Sequence, residues 1–188
     1  EYKSAYFNRG LSKIYLRDNS GAISDFNKVI NIDSNDSDGY VNRGLAKDNL
    51  GDNSGAISDY TKAIELNPRY ALSYYNRGIA KENLKDYLGA ISDYSKAIEI
   101  NPDYALVYNT RGNVKSGLKD YYGAISDYNK AIEINPNYVD AYYNRGISKG
   151  DIKDYSGAIS DYNKAIEIDP NYVNAYTNRG LIKDEQLQ

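Results

Sequence analysis

The sequence predicts an all-α fold, a solenoid of stacked helix–turn–helix hairpins, and three observations predict it. Arg-Gly recurs every 34 residues with no insertion, at Arg9-Gly10, Arg43-Gly44, Arg77-Gly78, Arg111-Gly112, Arg145-Gly146 and Arg179-Gly180. Gly-Ala-Ile-Ser-Asp recurs between them, from Gly21, Gly55, Gly89, Gly123 and Gly157. All four prolines (Pro68, Pro102, Pro136, Pro170) occupy one place in that period. A period of this length marks supersecondary units that cannot bury their apolar faces singly and so stack.

The unit 71–104 shows how each element arises. Tyr74, Gly78 and Lys81 stand at i, i+4 and i+7, with Ile79 beside them, which is helical spacing. Leu84-Lys85-Asp86 breaks the pattern, and Asp86 is placed to cap a second helix, as are Asp18, Asp52, Asp120 and Asp154. The second helix carries Ala90, Ile91, Tyr94, Ala97 and Ile98 on one stripe. It stops at Asn101-Pro102, because proline cannot continue a helix and biases the residue before it out of the helical region. Each helix runs to about 14 residues, roughly 21 Å. The units are 3–36, 37–70, 71–104, 105–138 and 139–172, with 173–188 a terminal half-unit, so eleven helices and no strands are expected in a single array.

These residues resemble the tetratricopeptide repeat family. Its pattern is an aromatic, a small residue one turn on, then Ala, aromatic and Ala on the second helix, then Pro. Tyr74, Gly78, Ala90, Tyr94, Ala97 and Pro102 fit it, as do Tyr142, Gly146, Ala158, Tyr162, Ala165 and Pro170. The resemblance covers essentially the whole chain and implies a right-handed superhelical solenoid. Arg stands where the family usually has Leu, before the Gly, and Lys81 and its equivalents replace a common aromatic. The first unit fits least: Val29 replaces Ala, Ser34 replaces Pro, and Asn19 stands where Tyr87 does.

Composition narrows the chemistry. The chain has 188 residues and no Cys, His, Met or Trp. It therefore lacks a thiol nucleophile, a disulfide framework, the commonest zinc and haem ligands, and the side chain best suited to acid–base work near neutral pH. No catalytic residue, metal site or cofactor is expected. Net charge is −3 with the two signs interspersed, which argues against nucleic acid and anionic membranes as partners. No apolar run approaches the roughly 18 residues of a membrane helix. Glu1-Tyr2-Lys3-Ser4 carries no apolar signal region, and the chain does not begin with Met, so it reads as a fragment or processed product. A cytoplasmic setting is the default expectation.

Several columns read as scaffold. The Gly10-to-Gly180 and Ala22-to-Ala158 columns sit on facing helices, where small residues let axes approach. The Gly21-to-Gly157 column lies in a first helical turn, where Gly costs up to about 1 kcal/mol, so close backbone approach is the expected reason. Arg77, Lys81 and Asp93, with their equivalents, are expected to form an internal ion-pair ladder. The alternative is a row of arginines lining a groove for an anion.

Other columns could bind. In tetratricopeptide arrays the first helices line the concave side. There stand Asn8, Asn42, Asn76, Asn144 and Asn178, with Thr110 breaking the row and Asn113 one turn on, where the row can shift. A carboxamide donates and accepts, so such a row can grip the backbone of an extended peptide. It is similar to the asparagine ladder of the O-linked N-acetylglucosamine transferase repeats. The alternative is that these amides bond neighbouring parts of the scaffold. The adjacent column varies (Phe7, Val41, Tyr75, Asn109, Tyr143, Thr177), and Tyr75 and Tyr143 are its candidate contacts. Asp38, Asp140, Asp151 and Glu185 make a mildly acidic edge. The resemblance also implies that chaperone-tail binding, which needs Lys on these helices, is disfavoured by Phe7, Leu11, Leu72 and Asn76. The expected function is a non-catalytic protein–protein interaction scaffold that holds an extended peptide in its groove. The alternatives are a head-to-tail homo-oligomer formed through the array ends and the substrate-recruiting arm of a larger enzyme.

Overall fold

A computed structural model describes residues 2–185, with side chains through residue 183. Among the described residues there are eleven helices and no strand. They fall into two compact units. The first, Glu1–Asn101, holds α1 (Tyr2–Tyr15), α2 (Asn19–Ile32), α3 (Ser37–Asn49), α4 (Asn53–Leu66), α5 (Ala71–Asn83) and α6 (Tyr87–Ile100). The second, Pro102–Gln188, holds α7 (Ala105–Gly117), α8 (Tyr121–Ile134), α9 (Val139–Asp151), α10 (Tyr155–Ile168) and α11 (Val173–Glu185). Inside each unit consecutive helices pack as antiparallel hairpins, and each hairpin packs on the next, which makes the fold an all-α repeat solenoid.

Local chemistry sets the hairpins. Asp86 caps α6 by accepting from the Gly89 amide at 3.0 Å, and Asp18, Asp52, Asp120 and Asp154 do the same for α2, α4, α8 and α10. A Cβ at Gly89 would overlap that capping carboxylate, and so would one at Gly21, Gly55, Gly123 or Gly157. The close approach is therefore made by a side chain, which corrects the expectation of a backbone one. The turn before each cap follows a Schellman pattern: Asp86 N–H donates to Lys81 C=O at 2.9 Å and Lys85 N–H to Glu82 C=O at 2.8 Å. That geometry puts the intervening residue in the left-handed region, with φ of 62–65° at Arg17, Lys85, Lys119 and Lys153 and 81° at Gly51.

The core of each hairpin is one aromatic ring set into a glycine notch. Phe26, Tyr60, Tyr94, Tyr128 and Tyr162 are at most 2 % exposed. A Cβ at Gly44 would stand 2.8 Å from the Tyr60 ring, and Gly10, Gly78, Gly112 and Gly146 meet their rings as closely. The sequence reading set this glycine column against the alanines; the ring of the facing aromatic occupies the space instead.

Beside each ring lies a buried aspartate. Asp93, 3 % exposed, takes both oxygens of its carboxylate to the Arg77 fork, at 2.9 Å from Nε and 2.7 Å from Nη2, while Lys81 Nζ stands 2.7 Å away. Asp25, Asp59, Asp127 and Asp161 are held identically by Arg9/Lys13, Arg43/Lys47, Arg111/Lys115 and Arg145/Lys149. The third guanidinium nitrogen reaches back to the preceding hairpin: Arg43 Nη1 donates to Asn27 Oδ1 at 2.8 Å, Arg77 Nη1 to Thr61 Oγ1 at 3.1 Å and Arg145 Nη1 to Asn129 Oδ1 at 2.6 Å. Each guanidinium also lies 5.2–5.7 Å over the tyrosine one turn earlier, from Tyr6 to Tyr176. Arg9, Arg43, Arg77, Arg111 and Arg145 are thus bound to scaffold carboxylates, and for these five the ladder reading holds over the anion-groove one.

One repeat departs. The Tyr60 hydroxyl, Asp48 Oδ1 and Ser73 Oγ are buried without a hydrogen-bond partner. In the next hairpin Tyr94 Oη donates to Glu82 Oε2 at 2.8 Å, and Glu82 occupies the place of Asp48. Asp48 is one methylene short, and burial pushes its carboxyl above the usual range, partly offset by Asn83 beside it.

Two outcomes are expected. In a double-mutant cycle on Arg77 and Asp93 read by chemical denaturation, either single alanine variant costs about 3 kcal/mol and the pair couples by more than about 1 kcal/mol. Acid should act on the equivalent pair of the first hairpin. The Arg9 fork and Lys13 hold the Asp25 carboxyl well below the usual carboxylate range, against its desolvation, so its folded-state pKa is depressed. That contribution is complete above about pH 4 and lost as pH falls through the lowered value. Second, Asp48→Glu reaches the Tyr60 hydroxyl and stabilises by about 1 kcal/mol, while Tyr94→Phe, which strips Glu82 of its donor, destabilises by a similar amount. Thermal melts of both variants check this pair.

Candidate functional site

Within each unit the odd-numbered helices of neighbouring hairpins touch directly: α1 with α3, α3 with α5, α7 with α9, and α9 with α11. Among the described residues the even-numbered helices show no comparable contact, so the odd helices form the more closely set row. The asparagine column projects from that row because it stands one residue before the ladder arginine on each odd helix.

Its members fall into different states. In the first unit Asn8 is exposed, and Asn42 and Asn76 are half-buried. Asn42 Nδ2 donates to the Asp38 carbonyl at 2.8 Å, one turn back on its own helix. Asn76 makes no side-chain hydrogen bond among the described residues. In the second unit the amides bridge hairpins: Asn144 Nδ2 donates to Asn109 Oδ1 at 3.2 Å, and Asn178 Nδ2 to Tyr143 Oη at 3.1 Å. Thr110 bonds the Leu106 carbonyl at 2.9 Å, and exposed Asn113 accepts at Oδ1 from Tyr128 Oη at 2.9 Å.

The difference has a single cause, the residue 35 positions earlier. Where that residue carries a polar atom, as Asn109 and Tyr143 do, the amide is engaged by the scaffold. Where it is Phe7 or Val41, the preceding hairpin offers no polar atom, so Asn42 bonds only its own helix and Asn76 makes no bridge.

The aromatic column is anchored rather than loose. Tyr75 lies 5.9 Å from the Tyr94 ring, and Tyr143 lies 5.9 Å from Tyr162 and 5.2 Å from Tyr172. Burial pushes the Tyr162 hydroxyl up to about 12, partly offset by Asn178 beside it, so it stays neutral at any physiological pH. Tyr172, which sequence reasoning did not single out, donates to Asp140 Oδ1 at 2.8 Å and takes that carboxylate off the free acidic edge. Its signal was the tyrosine two residues after each proline, at Tyr70, Tyr104, Tyr138 and Tyr172.

At the start of the row an open cleft of about 360 Å³ is lined by Lys3, Ser4, Phe7, Asn8, Asp36 and Asp38. Lys3 is tied to Asp33 and Asp36 at 2.8 Å each. Asp38 has no such cation, so the cleft offers a carboxylate, an amide and an apolar ring to whatever enters. Among the described residues no cluster of acidic side chains could hold a metal ion, and no helix is long and apolar enough to cross a membrane.

Known proteins share this arrangement. Family profiles described as "TPR repeat" match residues 49–85, 117–150 and 151–186, and profiles described as "Tetratricopeptide repeat" match 71–104 and 4–36. No curated protein sequence matches the chain. Among solved structures, MamA protein is 27% identical with a TM-score of 0.81, over 92% of this chain and 94% of that one. The first TPR of Spaghetti (RPAP3), bound to the HSP90 peptide SRMEEVD, is 26% identical with a TM-score of 0.61, over 63% of this chain and 94% of that one. A tetratricopeptide repeat protein from Parabacteroides merdae has a TM-score of 0.84 at 19% identity, over 96% of this chain and 72% of that one, a likeness of fold alone. With profile matches over most of its length and the same ring-in-glycine hairpin throughout, the chain belongs to the tetratricopeptide repeat family.

Proposed function

We propose that this protein is a binding module that holds an extended peptide of a protein partner along its odd-numbered helices. The observation that carries the reading is the state of the asparagine column in the first unit. Asn8, Asn42 and Asn76 stand on adjacent, directly touching helices, and the residues 35 positions before Asn42 and Asn76 are apolar, so neither amide bridges to the preceding hairpin. Carboxamides in that condition can bond the N–H and C=O of a passing strand without reading its sequence. Side-chain preference then comes from Phe7 and Asp38 in the first cleft and from Tyr75 further along. In the second unit Asn144 and Asn178 brace the scaffold, and binding there falls to Tyr143 and to the outward Nδ2 of Asn113.

The RPAP3 domain in its complex with SRMEEVD supports peptide binding as a use of this architecture. The ligand here differs in kind. Its groove presents Asp38 with Phe7 and Asn8, which suits apolar and basic side chains rather than an acidic tail.

Two variants separate binding from bracing, with capture of partners from native lysate read by mass spectrometry. Asn8/Asn42/Asn76→Ala should lose its partners with melting unchanged. Three lost hydrogen bonds amount to roughly 1.5–4.5 kcal/mol, about ten- to a thousandfold in affinity. Asn144/Asn178→Ala should keep them and melt lower. Partners retained by the first variant would retire the reading.

A further inference from the structure

The residue that leads each hairpin into the next odd-numbered helix is a tyrosine at Tyr70, Tyr104, Tyr138 and Tyr172, and an aspartate only at Asp36. Tyr70 and Tyr138 stand at the N-termini of α5 and α9 and make no side-chain cap there. The ring is turned instead toward the preceding odd helix. Tyr172 lies 5.2 Å from the Tyr143 ring, edge to face, and donates to Asp140 Oδ1 at 2.8 Å. Tyr70 packs on the cluster that contains Val41, and burial pushes its hydroxyl above the usual range, with Asp38 beside it. Asp36 behaves differently. Its carboxylate caps α3, accepting from the Gly39 amide at 2.8 Å, and stands 2.8 Å from Lys3 Nζ. The angle that a tyrosine ring fills elsewhere is here the open cleft of about 360 Å³ between α1 and α3. Phe7 stands where Tyr143 does, and Ser4 where Asp140 does. Phe7 is itself set edge to face against buried Phe26 at 5.7 Å, so the wall of the cleft is fixed. One residue inside the repeat, a cap in place of a ring, makes the opening.

We propose that this cleft is a socket for a tyrosine side chain of the bound peptide, with a Lys or Arg next to that tyrosine. The inference rests on the groove reading above and names the residue the groove selects. The incoming ring meets Phe7 edge to face, as Tyr172 meets Tyr143, and its hydroxyl reaches Ser4 Oγ. The rim sets the charge of the neighbour. Asp33 and Asp36 share the single ammonium of Lys3, and exposed Asp38 has no cation, so three carboxylates face one positive charge. The same excess rejects a phosphorylated tyrosine, whose phosphate would lie beside Asp36 and Asp38.

The probe is a display library of random peptides selected on the 188-residue protein. Enriched sequences should share a tyrosine beside a basic residue. A labelled synthetic copy of the strongest binder is then titrated by fluorescence anisotropy. Alanine in place of its tyrosine, or phosphorylation of that tyrosine, should each weaken binding at least about tenfold. Asp36→Tyr places the repeat's own ring in the socket and should weaken the same peptide as much, with the melting temperature kept. Asp38→Lys, at an exposed position, should remove the preference for a basic neighbour and leave that for the ring. A selection without tyrosine, binding that survives the alanine replacement, or indifference to Asp36→Tyr would overturn the proposal. The groove is read separately with Asn42/Asn76→Ala, which leaves the socket residues in place: binders that keep their affinity for that variant retire the asparagine row and not the socket.

Discussion

A carboxylate removed from water has to be neutralised where it lies, and the rest of this fold is arranged around five such groups. Asp25, Asp59, Asp93, Asp127 and Asp161 are each almost wholly buried beside the core aromatic ring. An Arg fork and a Lys on the facing helix surround each one, so its position fixes the rotation of that helix and the depth at which the ring enters the glycine notch. Buried ion pairs add little net stability over apolar packing but penalise wrong registers heavily. A one-residue slip between the two helices would leave both the carboxylate and the guanidinium without partners. The ladder therefore specifies geometry, and the rings and alanines contribute the burial.

That specification leaves the odd helices free to vary elsewhere. Since arginine and glycine are committed to the hairpin, variation falls on the residue before them, exposed or half-buried, and on the one before that, which is buried at Val41 and Asn109. The first is nearly always Asn and the second changes from Phe to Val, Tyr, Asn and Thr along the chain. A constant amide beside a variable neighbour gives two outcomes from one scaffold. A polar neighbour draws the amide into a bridge between hairpins, and an apolar one offers it no such bridge.

Much of this was legible in the sequence because it is local. The Asp caps, the Pro stops and the spacing of Arg77, Lys81 and Asp93 each lie within one 34-residue unit and repeat, so the hairpins and the ladder follow from periodicity and charge. Other features were not local. Whether Asn144 is free depends on Asn109, a full hairpin away, and no spacing rule shows the contact. The Gly89 column needed the rotamer of the Asp86 side chain, which a sequence does not carry. The orphaned Tyr60 hydroxyl turns on the one methylene by which Asp48 is shorter than Glu82.

The left-handed residue in each hairpin turn places the two helices of a repeat under a common lock, while adjacent repeats within a unit are joined by apolar contacts such as Phe26 and Val29 with Ala46 and by arginine hydrogen bonds to Asn27 and Thr61. A pull on the ends of such a chain meets a periodic resistance. Hairpins should peel away one at a time, each releasing 34 residues or roughly 110–120 Å of contour, and each should close again as a complete ion-paired unit when the load is removed. In mechanical terms the molecule is a series of identical latches, with an extension that comes in equal steps and is set by the repeat rather than by the whole.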